Sequence, residues 1–130
     1  MDASIATTWI LEDESHAVAE AILDAVISEG VGVVTRHWHL EVRNALLMSE
    51  RRGRIMSENV GGQLSFLNRL PLQTDTEANV DAAFDLARIY NLTMYDAMYL
   101  ELALRIRLPL ATLGRGLSRA ASVAGVEVLP

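Results

Sequence analysis

The feature that most limits what this chain can become is the stretch Asn91 to Leu104, NLTMYDAMYLELAL, which is apolar almost throughout. Such a segment needs cover on nearly every side, so it predicts a helix at the centre of a small domain. Thr93 is placed to cap that helix, and Asp96 falls in its first turn, where the helix dipole favours a carboxylate. At about 100° per residue, Asp96 lies well away from Glu101 and Arg105, which mark out a solvated face. An acid opening a buried helix either serves the dipole alone or belongs to a site. The second reading needs further acids brought to the same place.

The rest of the pattern supplies a frame for that. Ala3 to Leu11 reads as a short helix, followed by a charged turn at Glu12, Asp13 and Glu14. His16 to Glu29 is amphipathic, with Val18, Ala21, Ile22, Ala25 and Val26 on one face, and Gly30 stops it. Val31 to Thr35 is a short strand of the kind buried on both faces. Helices follow from His37 to Arg52 and from Ser57 to about Arg69, then a brief extended piece at Pro71-Leu72-Gln73. Thr74 and Glu77 have capping-box spacing, which predicts a helix from there to Tyr90. Leu108 to Leu113 reads as a strand, Leu117 to Ala124 as a helix and Val126 to Leu129 as a terminal strand. This alternation predicts an α/β three-layer sandwich, a mainly parallel, short-stranded sheet flanked by helices, in one domain over residues 1–130. In such folds chemistry collects at the carboxyl ends of the strands. Asp2, Glu41 and Asp96 all lie at or near positions of that type.

Composition narrows the chemistry. The 130 residues are half hydrophobic and contain no cysteine, so neither a disulfide nor a thiolate metal site is available. There is no basic leader, and no apolar run approaches the ~18 residues of a membrane span, so a soluble, cytoplasmic protein with no membrane partner is expected. The net charge is −6, with eleven basic residues that are all arginine. A coat for nucleic acid is thereby disfavoured, because phosphate affinity normally comes from a basic surface. An enzyme acting on RNA is still allowed if cations offset the acidity where phosphate docks. Carboxylates that meet in a cleft repel one another unless a cation joins them, and an oxygen-only ligand set points to Mg²⁺ or Mn²⁺. Such an ion serves phosphodiester hydrolysis.

The neighbourhood of each acid is more specific. DAS at 2–4, HLEVRNAL at 39–46, LTMYDAMYLELA at 92–103 and ATLGRGLSRAA at 111–121 occur in that order. Together they resemble the PIN-domain family, most closely the VapC-type ribonuclease toxins of VapBC toxin–antitoxin pairs. The resemblance implies a parallel sheet between helices, with Asp2, Glu41 and Asp96 as catalytic metal ligands for Mg²⁺ or Mn²⁺. It also implies endonucleolytic cleavage of RNA, a cognate antitoxin partner and a homodimer. Ser4, Asn44 and Thr112 match substrate-side or supporting positions.

Two departures accompany it. The family places a further aspartate where this chain has Gly114, which implies one metal site of three acids and the alternative of a catalytically impaired module that mainly binds its antitoxin in an autoregulatory complex. The family also has a short apolar strand before the DAS aspartate, where only Met1 stands here, which predicts Asp2 on a frayed terminus.

Other residues are read more plainly. His37, four residues before Glu41, reads as part of a polar helix start beside the cleft, and Trp38 as core or groove wall. Arg51, Arg52 and Arg54 complement a helix end. Arg115 and Arg119 are candidates for RNA backbone contacts, with Arg115 alternatively paired to the acids. Tyr95 and Tyr99 read as helical packing. Ile5, Trp9 and Ile10 form an expected apolar groove which, by the resemblance, receives the antitoxin's helix or a second copy.

Overall fold

The computed structural model describes residues 1–11 and 14–129. The expected charged turn at Glu12 and Asp13 lies outside the described residues. Helix α1 (Ala3–Ile10) is followed by α2 (Ala17–Glu29), strand β1 (Val33–Val34), α3 (Arg36–Arg51), α4 (Ser57–Arg69), β2 (Gln73–Thr74), α5 (Val80–Tyr90), α6 (Met94–Ile106), β3 (Leu110–Ala111), α7 (Arg115–Val123) and β4 (Val128–Leu129). This is a helix-rich α/β protein with short parallel strands.

Local chemistry sets the helix ends. Thr93 caps α6 by accepting the Asp96 amide at 3.1 Å. Gly30 closes α2 in the left-handed region, φ 65°, which costs a residue without Cβ little. The expected helix from Thr74 does not form. The Gln73 and Asp75 amides donate to the Gly32 and Val34 carbonyls of β1, both at 2.8 Å, which draws this segment into a strand. The Thr74 hydroxyl, needed for a capping box, instead lies 2.8 Å from His39 Nε2. Helix α5 begins later, capped by Asn79, whose Oδ1 accepts the Ala82 amide at 3.0 Å.

The strands form two parallel pairs: β1 with β2, Val33 opposite Gln73, and β3 with β4, Leu110 opposite Val128. What joins the pairs is the chain start. The Met1 ammonium donates to the Val33 carbonyl and the Asp2 amide to the Ala111 carbonyl, each at 3.0 Å. Asp2 is therefore not on a frayed terminus; it is 5 % exposed. The cost falls on the Met1 amine, whose pKa burial pushes down to about 6.

The core runs from α1 through α3 and α6 to β3 and α7, with Trp38, Tyr99, Ile10, Leu46, Leu100 and Leu117 fully or almost fully buried. Trp38 is thus core. Ile5 and Ile10 are also fully buried, and the Trp9 indole donates to the Ala19 carbonyl at 2.7 Å. The expected open groove at these residues is closed by α2 and by the core.

Glu101 corrects another expectation. It is 4 % exposed rather than solvated, and Arg105 holds it at 2.7 Å while also gripping Asp75 at 3.1 and 2.7 Å. One guanidinium fork thereby ties α6 to the segment after β2. Its N–H donors hold the Asp75 carboxyl below the usual carboxylate range. Because the unfolded chain takes up that proton first, this contribution is full at neutral pH and is lost as pH falls below about 4. Arg105→Ala strands a buried carboxylate and should cost about 2–4 kcal/mol, read by denaturant unfolding. It should also make the acid limb of the stability curve shallower than in the parent. Arg105→Lys should restore only part, since an ammonium lacks the fork.

Candidate functional site

Asp2 stands at the joint of the two strand pairs and caps α1. Its Oδ1 accepts the Ser4 amide at 3.0 Å and the Ser4 hydroxyl at 2.5 Å; its Oδ2 accepts the Thr112 hydroxyl. Those two hydroxyls are themselves fixed. Ser4 Oγ accepts the Leu113 amide at 2.9 Å, and Thr112 Oγ1 accepts the Gly114 amide at 3.0 Å. The turn after β3 thus grips the first turn of α1, and Asp2 is aimed by both.

Glu41 lies one turn into α3, half-exposed. Its Oε2 accepts the Tyr99 hydroxyl at 2.8 Å, and its Oε1 is 4.0 Å from His37 Nε2. Burial, then the Glu41 hydrogen bond, pushes the Tyr99 phenol far up, so it remains a donor. The His37 ring sits against Tyr99 and Tyr95, with centroids 4.5 and 5.7 Å away, and burial lowers its pKa despite Glu41 and Asp96 nearby. Its buried Nε2 has no hydrogen-bond partner among the described residues. The neutral ring forms one wall of the cleft, as its place at the helix start implied.

Asp96, half-buried in the first turn of α6, completes the acid set. Its pKa is raised, first by burial and then by the charge of Asp2, against the opposing Thr93 contact and His37. The fold therefore brings Asp2 close enough for its charge to act on Asp96, which lies far along the sequence. Tyr99 feels both Glu41 and Asp2, which places the third acid on the same cleft. As the side chains stand, no group of three or more His, Cys, Asp or Glu among the described residues is drawn close enough to hold a metal ion. The donor chemistry still fits a hard divalent cation: among the described residues no arginine forms an ion pair with Asp2, Glu41 or Asp96, and Asp96 is shifted toward its neutral form first by burial and then by Asp2.

Gly114 borders this cleft. A Cβ added there would lie 3.9 Å from Asp2 Oδ2 and 3.3 Å from Thr112 Oγ1, at an ordinary backbone φ of −75°. A side chain at 114 would therefore start out beside the Asp2 carboxylate. Arg115, exposed at the start of α7, makes no ion pair among the described residues, so the alternative in which it neutralises the acids is not realised. Asn44 is exposed one turn beyond Glu41 and makes no hydrogen bond among the described residues. The sequence reading missed the Tyr99 contact with Glu41. The available signal was that Tyr99 follows Asp96 by three residues and so shares its helix face.

The fold defines a class first: a helix-rich α/β protein with short parallel strands, with Asp2 buried at the joint of the strand pairs. The PIN domain family model matches residues 1–123, and the chain belongs to the PIN domain family. Members of this family are generally nucleases and typically use divalent metals. Among solved structures, the chain is similar to the crystal structure of PAE2754 from Pyrobaculum aerophilum. The two share 24% identity, with a TM-score of 0.64, over 92% of this chain and 82% of that one. No curated protein sequence matches. Among the described residues, no helix is long and apolar enough to cross a membrane.

The grip on Asp2 is testable without any assay of activity. Thr112→Val removes the Oδ2 donor and leaves a buried carboxylate oxygen unpaired, so it should cost about 1–3 kcal/mol in denaturant unfolding. Thr112→Ser should recover most of that loss. A Val variant as stable as the parent would show that the contact does not hold the joint together.

Proposed function

We propose that this chain is a metal-dependent endoribonuclease, the toxin of a type II toxin–antitoxin pair, with Asp2, Glu41 and Asp96 holding Mg²⁺ or Mn²⁺. The observation that carries the reading is a half-buried Asp96 within reach of the Asp2 charge, its carboxyl pKa raised first by burial and then by that neighbour. Two carboxylates held together at such a cost are matched to a cation. When bound, the metal supplies an acidified water and charge compensation for the phosphate.

The chain's own residues do the rest. Ser4 and Thr112 fix both oxygens of Asp2, and Tyr99 orients Glu41 through a single hydrogen bond. In this reading Arg115, exposed next to Gly114, and Asn44, exposed one turn beyond Glu41, serve the substrate side, with Arg115 meeting the RNA backbone. No side chain is assigned as an independent base. Cytoplasmic action, a cognate antitoxin and a homodimer belong to the same proposal.

A second reading is favoured by one observation, the glycine at 114, where an added Cβ would lie 3.9 Å from Asp2 Oδ2. In that reading the module is catalytically impaired and mainly binds its antitoxin in an autoregulatory complex. The two are separated by Mn²⁺-dependent cleavage of a mixed RNA pool by the parent, Gly114→Asp and Asp96→Asn. A nuclease of three acids cuts as the parent and loses at least about two orders of magnitude in Asp96→Asn, a cost of roughly 3 kcal/mol. An impaired module cuts only as Gly114→Asp. Full cleavage by Asp96→Asn would remove Asp96 from the mechanism.

Metal affinity gives a second readout. Gly114→Asp should show a larger Mn²⁺-induced rise in Tm than the parent, because the new carboxylate joins Asp2. An equal rise in both would place residue 114 outside the metal site.

A further inference from the structure

His37 lies among the acids, and the proposed function leaves it unused. It stands in the first turn of α3, one turn ahead of Glu41, so the two share a helix face. Its side chain is 16% exposed, and its Nε2 is buried with no hydrogen-bond partner among the described residues. That atom faces Glu41 Oε1 at 4.0 Å, which is too far for a hydrogen bond. The other carboxylate oxygen, Oε2, is taken by the Tyr99 hydroxyl, while Oε1 accepts no hydrogen bond among the described residues. The imidazole lies against Tyr99 and Tyr95, with ring centroids 4.5 and 5.7 Å away, which fixes how it is turned.

The position of the ring hydrogen decides what Nε2 can do. The Tyr95 backbone hydrogen-bonds the ring in the sense that favours protonation, so it offers a carbonyl, and with Nε2 unpartnered the contact falls to Nδ1. A neutral imidazole carries one hydrogen; with that hydrogen on Nδ1, Nε2 keeps its lone pair. Nε2 and Glu41 Oε1 are then two electron-pair donors that face each other and cannot satisfy each other. A divalent ion bonds imidazole and carboxylate at about 2.1 Å each, so one ion spans such a pair. Asp96 belongs to the same group, since its charge acts on His37 and the charge of Asp2 acts on it in turn. His37 thus links the acid of its own helix to the acid of α6.

We propose that His37 Nε2 is a direct metal ligand beside Glu41 and Asp96, which makes the site a mixed nitrogen–oxygen set that favours Mn²⁺ over Mg²⁺. The inference rests on the acids holding a cation, as in the proposed function, and adds a donor that discriminates between cations. Imidazole suits first-row transition ions, whereas Mg²⁺ keeps to oxygen. His37 therefore selects the metal as well as walling the cleft.

The test reads metal binding, not cleavage. The parent, His37→Phe and Asp96→Asn are titrated with Mn²⁺ and with Mg²⁺ by calorimetry. The Mn²⁺ complexes are also examined by electron spin-echo envelope modulation, with histidine at natural abundance and labelled with ¹⁵N. Phenylalanine keeps a ring against Tyr95 and Tyr99 and removes both nitrogens; His37→Gln, which also lacks the imidazole, serves where phenylalanine impairs folding. The parent should show modulation from histidine nitrogen that changes on labelling and disappears in either variant. Mn²⁺ affinity should fall about tenfold or more in His37→Phe, while Mg²⁺ affinity changes by less than about threefold. Mn²⁺ bound by the parent without histidine modulation, or modulation that survives both variants, would overturn His37 as a ligand and leave the acids as the metal site. Equal losses for the two ions would overturn the selectivity. No Mn²⁺ binding by the parent, or binding untouched by Asp96→Asn, would instead strike the metal reading of the acids, and this inference with it.

Discussion

The structure depends on two backbone hydrogen bonds at the chain start, Met1 to Val33 and Asp2 to Ala111. Each strand contributes only a two-residue ladder, and two such pairs have too little pairing to stand as one sheet unaided. Helices supply most of the burial, and the first two residues align the strand pairs. The residue that closes this joint is also the acid gripped by Ser4 and Thr112. Scaffold and cleft therefore share one anchor, and a disturbance at Asp2 reaches both.

The acids are held in unequal ways, and the difference is physical. Asp2 is buried and accepts hydrogen bonds on both oxygens, which fix its orientation. Asp96 has burial and a like charge against it, with only Thr93 and a neutral His37 nearby. Glu41, its side chain 35% exposed, accepts one hydrogen bond, from the Tyr99 hydroxyl, among the described residues. The three acids are thus fixed to different degrees: Asp2 is held at both oxygens, Asp96 is disfavoured as an anion first by burial and then by Asp2, and Glu41 is bound at one oxygen by Tyr99.

Local signals were legible in the sequence and non-local ones were not. Thr93 as cap, Asp96 in the first turn and Gly30 as stop are set within a few residues of chain, and each stands where the pattern placed it. The parallel strands followed from short apolar runs between helices. Thr74 failed because a carbonyl far back in the chain competes for the same segment, and no capping spacing reveals such a competitor. Glu101 failed likewise. Its spacing from Arg105 reads as an exposed helical pair, and only Asp75, thirty positions away, turns that arginine into a clamp over a buried acid. The grip of Thr112 on Asp2 spans 110 positions and joined two motifs already singled out, which is why the cleft was more legible than its supports.

Gly114 is best understood through the same unequal electrostatics. An aspartate at that position would place its Cβ 3.9 Å from Asp2 Oδ2 and 3.3 Å from the Thr112 hydroxyl oxygen. In the absence of a cation, it would add a second like charge to an anchor that the strand pairs also need. Glycine removes that repulsion and leaves Thr112 free to bond both Asp2 and its own turn. The trade is structural security without metal against affinity for metal. With an acid at 114, the Asp2 side chain would meet a second like charge; with glycine, it is steadied by the Ser4 and Thr112 hydroxyls while the backbone bonds of Met1 and Asp2 hold the strand pairs together.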